Sequence, residues 1–163
     1  MHDSNRTAVA AAALLALCAV ASVAVVPAGR VLVAEDVETG ERYVTSPVSD
    51  GVVVTLNYTH SVEKTPVSDQ YTVRGDRLEN TRMTFESYGW GLPSGANVTR
   101  RDGQFVYDPP GSYEAVTVSP GPTAGHTLRV GARSYDLVAR TDARPVRLHV
   151  TRRSTLTAVT HDP

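Results

Sequence analysis

From Arg30 onward the chain is a succession of short β-branched segments separated by Gly, Pro, Asp and Ser, and no ten-residue stretch holds helical periodicity. Such a pattern confines the chain to an all-β fold. Its clearest strand runs from Val52 to His60, where Val52, Val54, Leu56, Tyr58 and His60 share one face and Val53, Thr55, Asn57 and Thr59 the other. After a short connection the alternation resumes, with Val67, Asp69, Tyr71 and Val73 set against Ser68, Gln70, Thr72 and Arg74. Gly75-Asp76 then turns the chain into Arg77 to Ser87, with Thr81, Met83, Phe85 and Ser87 on the more apolar face. Asp102-Gly103 predicts a two-residue hairpin between Val98 to Arg101 and Gln104 to Tyr107. Further strands are expected at Val31 to Ala34, Arg42 to Val44, Tyr113 to Val118, Thr127 to Val130, Ser134 to Ala139 and Val146 to Thr151. Turn signals about every eight to twelve residues point to an antiparallel β-sandwich or a partly open β-barrel. Pro109-Pro110-Gly111 and Pro120-Gly121-Pro122 mark loops, the second long enough to cross between sheets.

Ahead of this β region, Ala8 to Val26 is apolar throughout except for Ser22, and a short tail with Arg6 precedes it. As a helix it would span about 28 Å, close to the hydrocarbon core of a bilayer. The expectation is one N-terminal transmembrane or signal helix, with residues 8–26 in the membrane and the body outside the cytoplasm. Small residues at Ala19-Val20-Ala21 and Ser22-Val23-Ala24 leave the alternative of secretion after signal cleavage open. The domain plan is therefore an anchor or signal peptide with a short linker over 1–29, an all-β extracytoplasmic domain over 30–155, and a tail over 156–163. At 163 residues the chain leaves enough for one conventional core. The single cysteine, Cys18, lies in the apolar run, so the β domain can hold neither a disulfide nor a thiolate-ligated metal. A net charge of −1 with dispersed signs gives no basic stripe for nucleic acid.

The distinctive stretches are Tyr58-Thr59-His60-Ser61-Val62-Glu63-Lys64-Thr65-Pro66-Val67 and, downstream, Gly89-Trp90-Gly91-Leu92-Pro93. His60, Ser61 and Glu63 together suggest nucleophilic chemistry, but neighbours in extended chain face opposite ways, so His60 is not placed to activate the Ser61 hydroxyl. A metal at His60 would need Glu63, Asp69 or Glu86 to converge on it. The simpler reading makes His60 a buried structural side chain and Glu63-Lys64-Thr65 a loop shaped by Pro66, which keeps Thr65 out of the helical region. Lys64 is the only lysine in the chain. Trp90, the only tryptophan, stands between two glycines and either presents its indole outward or plugs one end of a β-barrel.

These two stretches, with the strand ending in Tyr71 and the run Phe85-Glu86-Ser87-Tyr88, resemble the family called domain of unknown function 1850 over about Val31 to Val150. Trp90 stands where that pattern has a smaller residue, so no ligand role comes to it from the family. The resemblance implies a small exported or membrane-anchored protein, associated with tripartite ATP-independent periplasmic (TRAP) transporters of the TAXI type. It implies an accessory role in transport, with the permease or the solute-binding protein as partner. It implies no established enzymatic activity and transfers no catalytic residue; no cofactor and no metal are expected. On this reading His60, Ser61, Pro66, Tyr71, Phe85, Gly89, Gly91 and Pro93 build the motif, while Glu63, Lys64, Thr65, Trp90 and Leu92 form the surface for a partner or ligand. Two other classes stay open: a stand-alone ligand-binding domain lined by Trp90, Tyr58 and Tyr71, and a hydrolase using His60 and Glu63.

Overall fold

The computed structural model describes residues 29–87 and 97–153. It contains two sheets whose strand pairings are all antiparallel among the described residues, and neither closes into a barrel. The smaller has the order β2-β1-β12-β9, built from β1 (Arg30–Asp36), β2 (Arg42–Val48), β9 (Ala115–Val118) and β12 (Val146–Arg152). The larger has the order β11-β10-β3-β4-β5-β7-β6, from β3 (Val53–Thr59), β4 (Pro66–Arg74), β5 (Arg77–Phe85), β6 (Thr99–Arg101), β7 (Gln104–Tyr107), β10 (Thr127–Val130) and β11 (Arg133–Asp136). Short β8 (Ser112–Tyr113) pairs with β5 beside this path.

The alternation expected of β3 and β4 is what buries them. Val54 and Leu56 of β3 and Tyr71 and Val73 of β4 point inward, where they share one core with Leu32, Ala34 and Leu148 of the smaller sheet, while Val67 of β4, also inward, forms a second cluster with Phe85. Thus the main core lies between the two sheets, and the Val67–Phe85 cluster, packed by Met83, Phe105 and Tyr107, lies further along the larger one. Each large aliphatic fully removed from water stabilises the fold by about 1.5 to 3 kcal/mol, which makes this inward stripe the principal source of stability.

The hairpins expected at Gly75-Asp76 and Asp102-Gly103 are present, the latter with positive φ at both residues (51° and 85°), the backbone that a tight two-residue turn requires. As expected, the segment after Val118 crosses from the smaller sheet to β10 in the larger. Three local expectations fail for physical reasons. A register shift at Gln70/Tyr71 pairs Tyr71 with Asn80 and Gln70 with Arg82, so Thr81 is bulged and exposed instead of inward. Tyr113 to Val118 is two strands in different sheets, because β8 pairs with β5 and β9 with β12. Ser134 to Ala139 stops being a strand at Asp136, whose side chain accepts from the Ala139 amide (3.1 Å) and starts the one-turn helix α1 (Leu137–Thr141).

Arg30, at the start of β1, donates to Asp76 (2.8 Å) and Asp50 (3.4 Å), which ties the entry of the chain to the β4–β5 turn. The β3–β4 connection lies at the other end of the same strands. No helix among the described residues is long and apolar enough to cross a membrane. The segment Ala8 to Val26 lies outside the described residues.

Candidate functional site

The β3–β4 connection is built as one capped turn of helix. The Lys64 amide donates to the His60 carbonyl (2.9 Å), and the His60 amide donates to the Thr65 carbonyl (2.8 Å), closing the hairpin. Inside the turn, His60 Nδ1 accepts from the amides of Val62 (3.3 Å) and Glu63 (3.1 Å). Those are the second and third positions of the turn, where an Asn or Asp cap would send its oxygen. A nitrogen that accepts two N–H groups carries no proton, so these contacts fix the neutral ring as the Nε2–H tautomer. The ring itself is buried. Lys64 closes the turn at φ 58°, a left-handed position that a glycine would occupy with less strain.

The result is a stiff loop with an exposed tip. Ser61, Val62, Glu63 and Lys64 are all exposed, and Val62 is the most exposed large apolar residue among the described residues, at 66%. Thr65 is half-buried, and its hydroxyl lies 2.8 Å from that of Ser87, just beyond β5. Together with the Val67–Phe85 register this contact ties the His60–Pro66 segment to Ser87 and the end of β5. Gly89, Trp90, Gly91, Leu92 and Pro93 lie outside the described residues. Pro66, exposed, opens β4 opposite Thr59, a strand-start position where its missing N–H removes no ladder bond.

Beneath the loop the inward face holds a polar group that the reading of the sequence did not assemble. Tyr58 stacks on His126 (centroids 5.1 Å apart, 17° between planes), which the Thr127–Asn57 register places beside it. Its hydroxyl donates to Asp69 Oδ2 at 3.3 Å. The other Asp69 oxygen is buried without a hydrogen-bond partner among the described residues, as are His126 Nδ1 and Asn80 Oδ1. Burial, only partly offset by the Tyr58 hydroxyl, pushes the Asp69 carboxyl up to about 6. Burial pushes Tyr58 well above the usual phenol range and Tyr71 up to about 12, in each case reinforced by the Asp69 charge, and lowers His126. Tyr71, a member of the main core, packs edge-on to the exposed Tyr113.

The sequence carried one signal for this group: Asp69 occupies an apolar-parity position in Val67-x-Asp69-x-Tyr71-x-Val73. His126 carried none, because only the β10–β3 register brings it near. Among the described residues no three His, Cys, Asp or Glu side chains are grouped to hold a metal ion.

The fold and site define the chain as an all-β, largely antiparallel domain that presents a histidine-capped loop at one end of its larger sheet. The family model described as "Domain of unknown function (DUF1850)" matches residues 54–137, just over half of the chain, and the chain belongs to this family. The matched span runs from the second residue of β3 to the start of α1 and so covers the larger sheet but for Val53; it is narrower than the Val31 to Val150 that the resemblance suggested. No curated protein and no solved structure matches the chain.

Proposed function

We propose that this is a non-enzymatic accessory domain, tethered outside the cytoplasm through residues 8–26, that docks its His60–Pro66 loop on a component of a solute transporter. The partner in this reading is the solute-binding protein or the permease of a TAXI-type TRAP system, a link drawn from the family resemblance. One observation carries the docking role. The loop is held rigid from within by His60 yet offers Val62, Glu63 and Lys64 to solvent. A surface ordered before it meets its partner loses little conformational entropy on binding. Lys64 adds to the case, because a lysine held at φ 58° bears local strain that glycine would not.

A hydrolytic role for His60 and Glu63 is disfavoured by the same geometry. A general base must offer its unprotonated nitrogen to the reacting proton, and in His60 that nitrogen is engaged by two amides. The test is Val62→Asp combined with Lys64→Ala, both at exposed sites. Capture of the transporter component by the purified full-length protein should weaken by about tenfold or more, the change expected when a contact anchor is lost. The melting temperature should stay within a degree or so, as for surface substitutions generally. Unchanged capture by this double variant would remove the docking role.

A further inference from the structure

Beyond loop docking, and independently of it, we infer that the outer face of the larger sheet carries a binding site for an uncharged polyhydroxylated molecule of about monosaccharide to disaccharide size. At the loop end of the sheet this face holds a cleft of about 390 Å³. Such a volume lies within the range of small-molecule sites. The strand register explains its lining. Thr127 pairs with Asn57, Asn57 with Ser68 and Ser68 with Thr84, so four neutral polar side chains from four adjacent strands stand in one row. Adjacent members are about 4.8 Å apart, the strand spacing. Thr59 and Gln104 add a hydroxyl and a carboxamide at the margins.

The loop before β10 meets the cleft at this end: the Thr59 amide donates to the Ala124 carbonyl at 2.7 Å, and Gly125, at φ 61°, is part of the lining. Asn57, Thr59, Ser68, Thr84 and Thr127 are half-buried, although they lie on the side of the sheet away from the core. Among the described residues, every lining side chain that can hydrogen-bond is a hydroxyl or a carboxamide. Each of these groups both donates and accepts, as a sugar hydroxyl does. An ionic ligand would surrender hydration here without a counter-charge, since no charged side chain among the described residues lines the cleft. Charge begins around its margin, at Arg129 and at Arg82 one row along the strands, the latter 3.8 Å from Asp108, and at Arg101, which pairs with Gln104.

The test is calorimetric titration of the full-length protein with glucose, maltose, trehalose and inositol, against glucuronate and glucosamine as charged counterparts. At least one neutral compound should bind saturably and at least tenfold more tightly than either charged one. Ser68→Tyr, which fills the middle of the row, should abolish that binding while leaving the melting temperature in place. Should Ser68→Tyr fail to fold, Asn57→Ala and Gln104→Ala replace it, each expected to weaken binding at least threefold. The inference is overturned if none of the neutral compounds binds, if a charged counterpart binds as tightly, or if the folded variants bind as the parent does.

Discussion

Asp69→Asn is expected to stabilise the protein at pH 7.5 and to leave it unchanged near pH 4. The carboxyl is buried, with one oxygen unpartnered, and its folded value of about 6 exceeds the unfolded 3.8. A group raised in this way binds its proton more tightly in the folded state. Its contribution to stability is therefore complete below the unfolded value and is lost as pH rises through about 6. Two units of difference correspond to about 3 kcal/mol, of which an asparagine with its own imperfectly paired amide should recover about 2 kcal/mol above pH 7. That is a rise of roughly 8 °C in melting temperature for a domain of this size. Glu35 and Asp36 work in the other direction. Hydrogen bonding from Arg147 lowers Glu35, and the amides of Thr39 and Glu38 lower Asp36, so both lose stability as pH falls. The Asn-minus-parent difference cancels their effect. A variant no more stable at pH 7.5 than at pH 4, relative to the parent, would mean that Asp69 is ionised at no cost. Retention of a carboxyl that weakens the neutral-pH fold is itself grounds to test Asp69→Asn for lost partner or ligand binding.

His60→Ala should destabilise the protein by about 3 kcal/mol, since it removes a helix-type cap, frees the amides of Val62 and Glu63, and empties the volume of a buried ring. His60→Asn separates these causes. An asparagine oxygen can accept from the same two amides, so this variant should regain about 1 kcal/mol over His60→Ala. Denaturant unfolding of the two variants side by side reads the difference directly. Equal stability would show that the ring matters only as volume and that the cap does not organise the loop.

Much of the architecture follows from alternation that is visible residue by residue. The inward set Val54, Leu56, Val67, Tyr71 and Val73 and the turns at Gly75-Asp76 and Asp102-Gly103 are legible because each is local. The bulge that turns Thr81 outward is not, because an extra residue in β5 shows only against its partner in β4. Asp136 could have been recognised as a helix cap, but Ser134 to Ala139 also alternates, and five helical residues are too few to impose their own period. At the site, the loop was legible from Pro66 and the inward parity of His60, whereas the return of Nδ1 to its own amides was not. Asp69 was visible as a charge on an apolar face. Its companions Tyr58 and His126, like the outer row from Thr127 to Thr84, depend on pairing between strands far apart in sequence.

Site-specific photo-crosslinking in intact cells that express the transporter tests the docking role most directly. A crosslinking residue is placed in the full-length protein at Val62, and separately at the exposed apolar controls Val53 and Val37. Position 62 should yield an adduct containing the solute-binding protein or the permease, and positions 53 and 37 should not. An adduct that forms equally from Val53 or Val37, or none from Val62 while the partner is present, would contradict the assignment of the His60–Pro66 loop as the docking element.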